Sequence, residues 1–121
     1  MGHQIDRVEK YTIWVEEPTS IEVNYMRAIY LFSKKENIGY FYDPEIGNYF
    51  PVTFEKAGDT IIVQHYRYSN VDDCRIKTLK AFLHKNGEFL KRIKMVDHLG
   101  NEEKLNGFFK NNESFSLPDP G

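Results

Sequence analysis

Between Thr60 and Tyr68 the chain reads Thr-Ile-Ile-Val-Gln-His-Tyr-Arg-Tyr, a β-branched opening followed by alternation. Ile62, Gln64, Tyr66 and Tyr68 fall on one face of an extended strand, and Ile61, Val63, His65 and Arg67 on the other. Stiff β-branched side chains suit a pleated sheet better than a helix. Both faces begin apolar and end polar, which predicts a strand buried at its start and reaching water at its end. Ala57-Gly58-Asp59 supplies a turn before it, and Ser69-Asn70 a stop. Residues 49–56 alternate as cleanly, with Phe50, Val52 and Phe54 opposite Pro51, Thr53 and Glu55. Residues 38–42 form a third short strand, and the Pro- and Gly-containing stretch 43–48 is the turn between them. Together the three predict an antiparallel meander. Pro51 has no N–H for a ladder, so the pattern puts its strand at a sheet edge or at a bulge.

The flanks are less uniform. Residues 11–15, Tyr-Thr-Ile-Trp-Val, read as a strand closed by Glu16-Glu17-Pro18. In 21–33 a capping box (Thr19 with Glu22) favours a helix for the first half, and composition favours a strand for 29–33. Two readings of 70–94 stay open. One is a helix over 71–85, with Asn70 as cap and Gly87 as stop. The other, slightly preferred, is a hairpin of 75–84 and 89–96 through Asn86-Gly87. Residues 102–110 fit a short helix with Leu105, Phe108 and Phe109 on its apolar side, and 111–121 an irregular tail. The fold class expected is therefore mainly β with minor α: an antiparallel meander, curved sheet or partial barrel, with one or two helices.

Composition narrows this only a little. A chain of 121 residues with 40% hydrophobic side chains makes one domain, 1–121, large enough to hold itself together by burial. The formal charge of −2 argues against a dedicated nucleic-acid binder, though not against a local basic patch. A lone cysteine, Cys74, cannot form an internal disulfide and fits a reducing compartment. With no apolar signal core and no spanning stretch, the expectation is a cytoplasmic protein with no membrane association.

Candidate chemistry is sparse. His65, His84 and His98 lie far apart, without ligands at metal spacing, so neither a metal nor a cofactor is expected. Cys74 lacks a neighbouring base, and no Gly-x-Ser-x-Gly or phosphate loop occurs. Two distributions stand out instead. All eight tyrosines lie at or before Tyr68, many of them on the meander. Between Arg75 and Lys94 seven basic residues (Arg75, Lys77, Lys80, Lys85, Lys91, Arg92, Lys94) face one acid, Glu88. The first suggests a non-enzymatic protein-binding module, an inhibitor or toxin-neutralising immunity-type protein. Its aromatic and acidic surface would be Tyr40, Tyr42, Asp43, Glu45, Tyr66 and Tyr68, with rings as anchors and acids steering a basic partner. A small-molecule carrier is the alternative, with a cavity lined by Phe41, Phe50, Phe54 and Ile62. The basic stretch offers nucleic-acid binding as another. An enzyme would need His65, or another histidine, to meet a carboxylate or Cys74 across the fold.

Overall fold

The computed structural model describes residues 7–18, 27–68 and 76–120, excepting the side chains of 67, 68, 76 and 77. After a short 3-10 turn at Val8–Lys10 come nine strands: β1 (Tyr11–Glu16), β2 (Ile29–Ser33), β3 (Ile38–Asp43), β4 (Asn48–Ala57), β5 (Thr60–Tyr68), β6 (Ile76–Asn86), β7 (Phe89–Asp97), β8 (Glu102–Lys104) and β9 (Phe108–Asn111). Every pairing is antiparallel, and from β1 to β7 each strand pairs with the next. Strand β7 is paired along its whole length with β6, so β8 and β9 share its other edge. They are two pieces of one strand, interrupted at 105–107, where Gly107 takes φ +93°. The second piece then pairs with β1 at Trp14–Glu16 and closes the ring. The result is an eight-stranded up-and-down barrel, which leaves almost no free sheet edge.

Strand alternation sorts the side chains. Trp14, Tyr30, Phe32, Val52, Phe54, Ile61, Val63, Ala81, Leu83, Leu90 and Phe109 fill the interior. A second cluster lies outside the wall of β1–β4: Ile13, Val15, Ile29, Leu31, Tyr42 and Tyr49, covered by Val8, Phe115 and Leu117. Strands β1 and β2 are therefore apolar on both faces, as their near-continuous hydrophobic sequences require. The tail from 112 to 120 has no regular structure, but it packs, and the Tyr49 hydroxyl donates to the Pro118 carbonyl at 2.6 Å.

The meander and the hairpin match the sequence reading, but the hairpin turns one residue later than the Asn86-Gly87 expected. Asn86 pairs with Phe89 across Gly87-Glu88, and Gly87 at φ +62° occupies the first central position, as a type II′ turn demands. Other expectations need correction. Residues 102–110 are strand, turn and strand rather than helix, because Leu105 and Phe109 are drawn to the edge of β7 and to the core. The proposed helix in the first half of 21–33 falls largely on 19–26, outside the described residues. Strand β4 is central, yet Pro51 does mark a local edge. The Phe54 N–H points to β3, bonding the Asn37 carbonyl, so by alternation position 51 faces β5. The β4–β5 ladder ends one residue away, at Val52–His65.

Candidate functional site

One end of the barrel is formed by the last residues of β1, β3, β5 and β7 and the first residues of β2, β4 and β6. Alternation sends the final inward side chains of these strands into a cleft of about 510 Å³, lined by Glu16, Ala28, Tyr30, Phe41, Asp43, Pro44, Glu45, His65, Leu79, Arg92 and Met95. The floor is aromatic. Tyr30 packs against Phe41 (centroids 4.9 Å apart), Phe32 and Phe109, and His65 meets Phe41 edge-on at 5.0 Å.

His65 sits inside because Ile61, Val63 and His65 share the inward face of β5. It is 4% exposed, and its Nε2 shares a 2.7 Å hydrogen bond with the Tyr30 hydroxyl. The phenol donates when that nitrogen is unprotonated. Burying either polar group without such a partner would cost on the order of 1–3 kcal/mol. The pair therefore fixes two ring orientations at the base of the cleft.

The opposite wall carries an ion pair. Arg92 Nη1 lies 3.2 Å from Glu16 Oε2, and its guanidinium stands 5.7 Å above the Phe109 ring. Glu16 Oε1 also accepts the Ala28 N–H at 3.1 Å, tying β1 to the start of β2. Arg92 points inward by alternation from the buried Leu90, and a bulge after it brings Met95 to the same side. Leu83 pairs with Arg92 but Phe82 pairs with Lys94, so Ile93 is an extra residue, and both Arg92 and Met95 face the interior. At the rim, Asp97 accepts the backbone N–H groups of Asn101 and Leu99, and these bonds, Asn101's first, hold its carboxyl below the ordinary range.

The six residues suggested as a partner surface are not brought together on one exposed patch. Tyr42 is 3% exposed and lies in the outer cluster beneath the tail; Tyr40 is half-buried beside Tyr11. Asp43 is buried at the cleft, with its Oδ1 accepting the Glu45 N–H, and Glu45 is exposed at the rim. Tyr66 is exposed on the outer wall, its hydroxyl 3.3 Å from Thr53 Oγ1, and the Tyr68 side chain lies outside the described residues. Of the four residues expected to line a carrier's cavity, Phe41 does so. Phe54 belongs to the packed core, Phe50 pairs across from Phe41, and Ile62 lines a shallow outer groove. Arg92 leaves the basic surface for the cleft, and Arg75, Lys77 and Cys74 cannot be placed among the described side chains. No group of three or more metal-ligating side chains occurs among the described residues. Among them, too, no helix is long and apolar enough to cross a membrane.

Sequence reasoning missed Tyr30, Glu16 and Arg92. Tyr30 shares a two-residue phase with Ala28 and Phe32, which was legible once 29–33 was read as strand. Arg92 shares a two-residue phase with the buried Leu90, but no residue in 89–97 announces the bulge that brings Met95 to the same side. Comparison with known proteins finds no matching family model, no matching curated protein and no matching solved structure. Function has to be read from the geometry.

Proposed function

We propose that this protein is a small-molecule-binding barrel whose ligand occupies the mouth cleft. The observation that carries the reading is the buried Tyr30–His65 pair at the floor of a cleft of about 510 Å³. That volume lies within the ~300–1,000 Å³ typical of ligand sites, and the mixture of rings, aliphatic side chains and a few fixed polar groups is the usual lining. The ligand would stack on Tyr30 and Phe41 and pack against Leu79 and Met95, with polar contacts from the His65 ring and the Glu16–Arg92 pair. The cytoplasm remains the location proposed, on the strength of the lone Cys74.

The protein-binding reading draws less support, since Tyr42 and Asp43 are buried and offer a partner little contact area. The two are separated by native mass spectrometry of protein purified without denaturant, run beside a Met95→Trp variant that fills the cleft. The expected result is a small molecule retained by the native protein and lost from the variant at unchanged melting temperature. An environment-sensitive anilinonaphthalene sulfonate probe should follow the same pattern. Absence of both a bound molecule and a Met95-sensitive probe signal would refute the proposal.

A further inference from the structure

Among the described residues, nothing packs over the outer rings of β7 and β9, Phe89 and Phe108. On β6, β7 and β9 the outward residues form rows across the strands, and three of these rows pair a ring with a lysine. Phe89 lies beside Lys110, Lys91 beside Phe108, and Phe82 beside Lys94. Phe89 and Phe108 are 42% and 39% exposed, although both are large and apolar. They contact each other edge-on at 5.4 Å, and the Lys94 ammonium stands 4.9 Å from the centre of the Phe82 ring. Neither the N-terminal turn nor the tail reaches this face, since both pack on the β1–β4 side. The acids nearby are Glu88 in the β6–β7 turn, Glu102 and Glu103 on β8, and Glu113 after β9, and of these Glu102 pairs with Lys94.

We propose that this face binds single-stranded nucleic acid. Lysine ammonium groups meet phosphates, and exposed rings between them accept unpaired bases, whose stacking tolerates any sequence. The repeat fits. Neighbouring rows are about 7 Å apart along a strand and neighbouring columns about 4.8 Å apart, so successive bases of a stretched strand reach successive rings. A duplex hides the base faces these rings would stack on. The overall charge of −2 is compatible, since part of the acid lies away from this face, at Glu45 beside the mouth cleft and Glu36 in the β2–β3 turn. A molecule polarised in this way turns its basic face toward a polyanion.

Fluorescence anisotropy with a labelled 12-nucleotide oligo-dT, in a salt series, tests this independently of the mouth cleft. Binding should fall with salt, with a logarithmic slope near −2 if about three phosphates are neutralised at ~0.7 each. Phe108→Ala should weaken it about fivefold or more, by loss of one stacked base. Lys91→Glu with Lys110→Glu should abolish it, and Met95→Trp should leave it unchanged. All of these positions except Met95 are exposed, and a thermal melt confirms that each variant folds. Absence of binding at low salt would overturn the proposal. So would equal affinity for the duplex with no effect of Phe108→Ala, or binding only to phosphatidylserine vesicles.

Discussion

Removal of residues 114–121 should cost the barrel several kcal/mol, although 114–120 contain no regular structure. Phe115 and Leu117 are each half-buried against Ile13, Val15, Ile29 and Leu31. Full burial of such a side chain is worth about 1.5–3 kcal/mol, so two half-buried ones contribute about 2–3 kcal/mol. The Tyr49–Pro118 hydrogen bond adds about 1 kcal/mol. A loss of about 3–4 kcal/mol is a large part of the ~5–15 kcal/mol that holds a domain of this kind folded. Urea unfolding should show a clear drop in midpoint. Tyr49 gives a second readout. Burial first, then the neighbouring Tyr42 and Asp119, push its hydroxyl up to about 12, from an ordinary value of 10.0. With the folded value raised, stability is intact below pH 10. As pH climbs to about 12 the unfolded phenol ionises while the folded one does not, and about 1.4 kcal/mol is lost per pH unit. Truncation should return Tyr49 toward 10, read as the phenolate absorbance missing from a Tyr49→Phe control. An unchanged urea midpoint, with Tyr49 still titrating near 12, would show that the tail does not cover this cluster.

Two further outcomes test the wall and the mouth. Gly39→Ala should fail to fold or lose several kcal/mol, because an added Cβ would overlap the Leu31 carbonyl oxygen and lie 3.0 Å from its carbon, both backbone atoms that cannot swing aside; near-native thermal stability would disprove the close approach of β2 and β3. A double-mutant cycle on Glu16→Gln and Arg92→Met should give a coupling of about 0–1 kcal/mol, as the pair is partly exposed, and a coupling beyond ~2 kcal/mol would mean that the pair is far better sheltered than its geometry indicates.

The contrast between what the sequence announced and what it hid follows the range of the interactions. Strands 60–68 and 49–56 were legible because one face of each is buried, and burial writes a two-residue period into the sequence. The hairpin at Gly87 was legible because a tight turn demands a residue that tolerates positive φ. Helix was wrongly favoured at 102–110, where apolar spacing of three and four residues arises from a strand broken at Gly107. Its two halves serve different neighbours, so no single period runs through it. The site was harder still. Tyr30 and His65 are 35 positions apart and meet only because the barrel closes. Tyrosine clustering pointed to the correct half of the chain, but strand phase decided which rings went to the cleft, the outer cluster or solvent.

Closure of the ring also explains how the two proposed binding surfaces could coexist on so short a chain. An up-and-down barrel has an inside that must be filled and an outside that has no such obligation. Here the inside is packed from Trp14, Phe54, Ile61 and Leu83 up to Tyr30, and the cleft begins where the wall loosens: Pro51 ends the β4–β5 ladder, and the bulge at Ile93 admits Arg92 and Met95 together. Outside, the apolar residues of β1–β4 are covered by the chain's own tail, whereas those of β6, β7 and β9 alternate with lysines and are left to solvent. If the exposed rings served only sheet formation, their replacement by threonine, a good strand former of lower apolar area, would be neutral in every assay. Retained stability in a Phe89→Thr/Phe108→Thr variant, with loss of oligonucleotide binding, is the combination that separates a working face from a merely tolerated one.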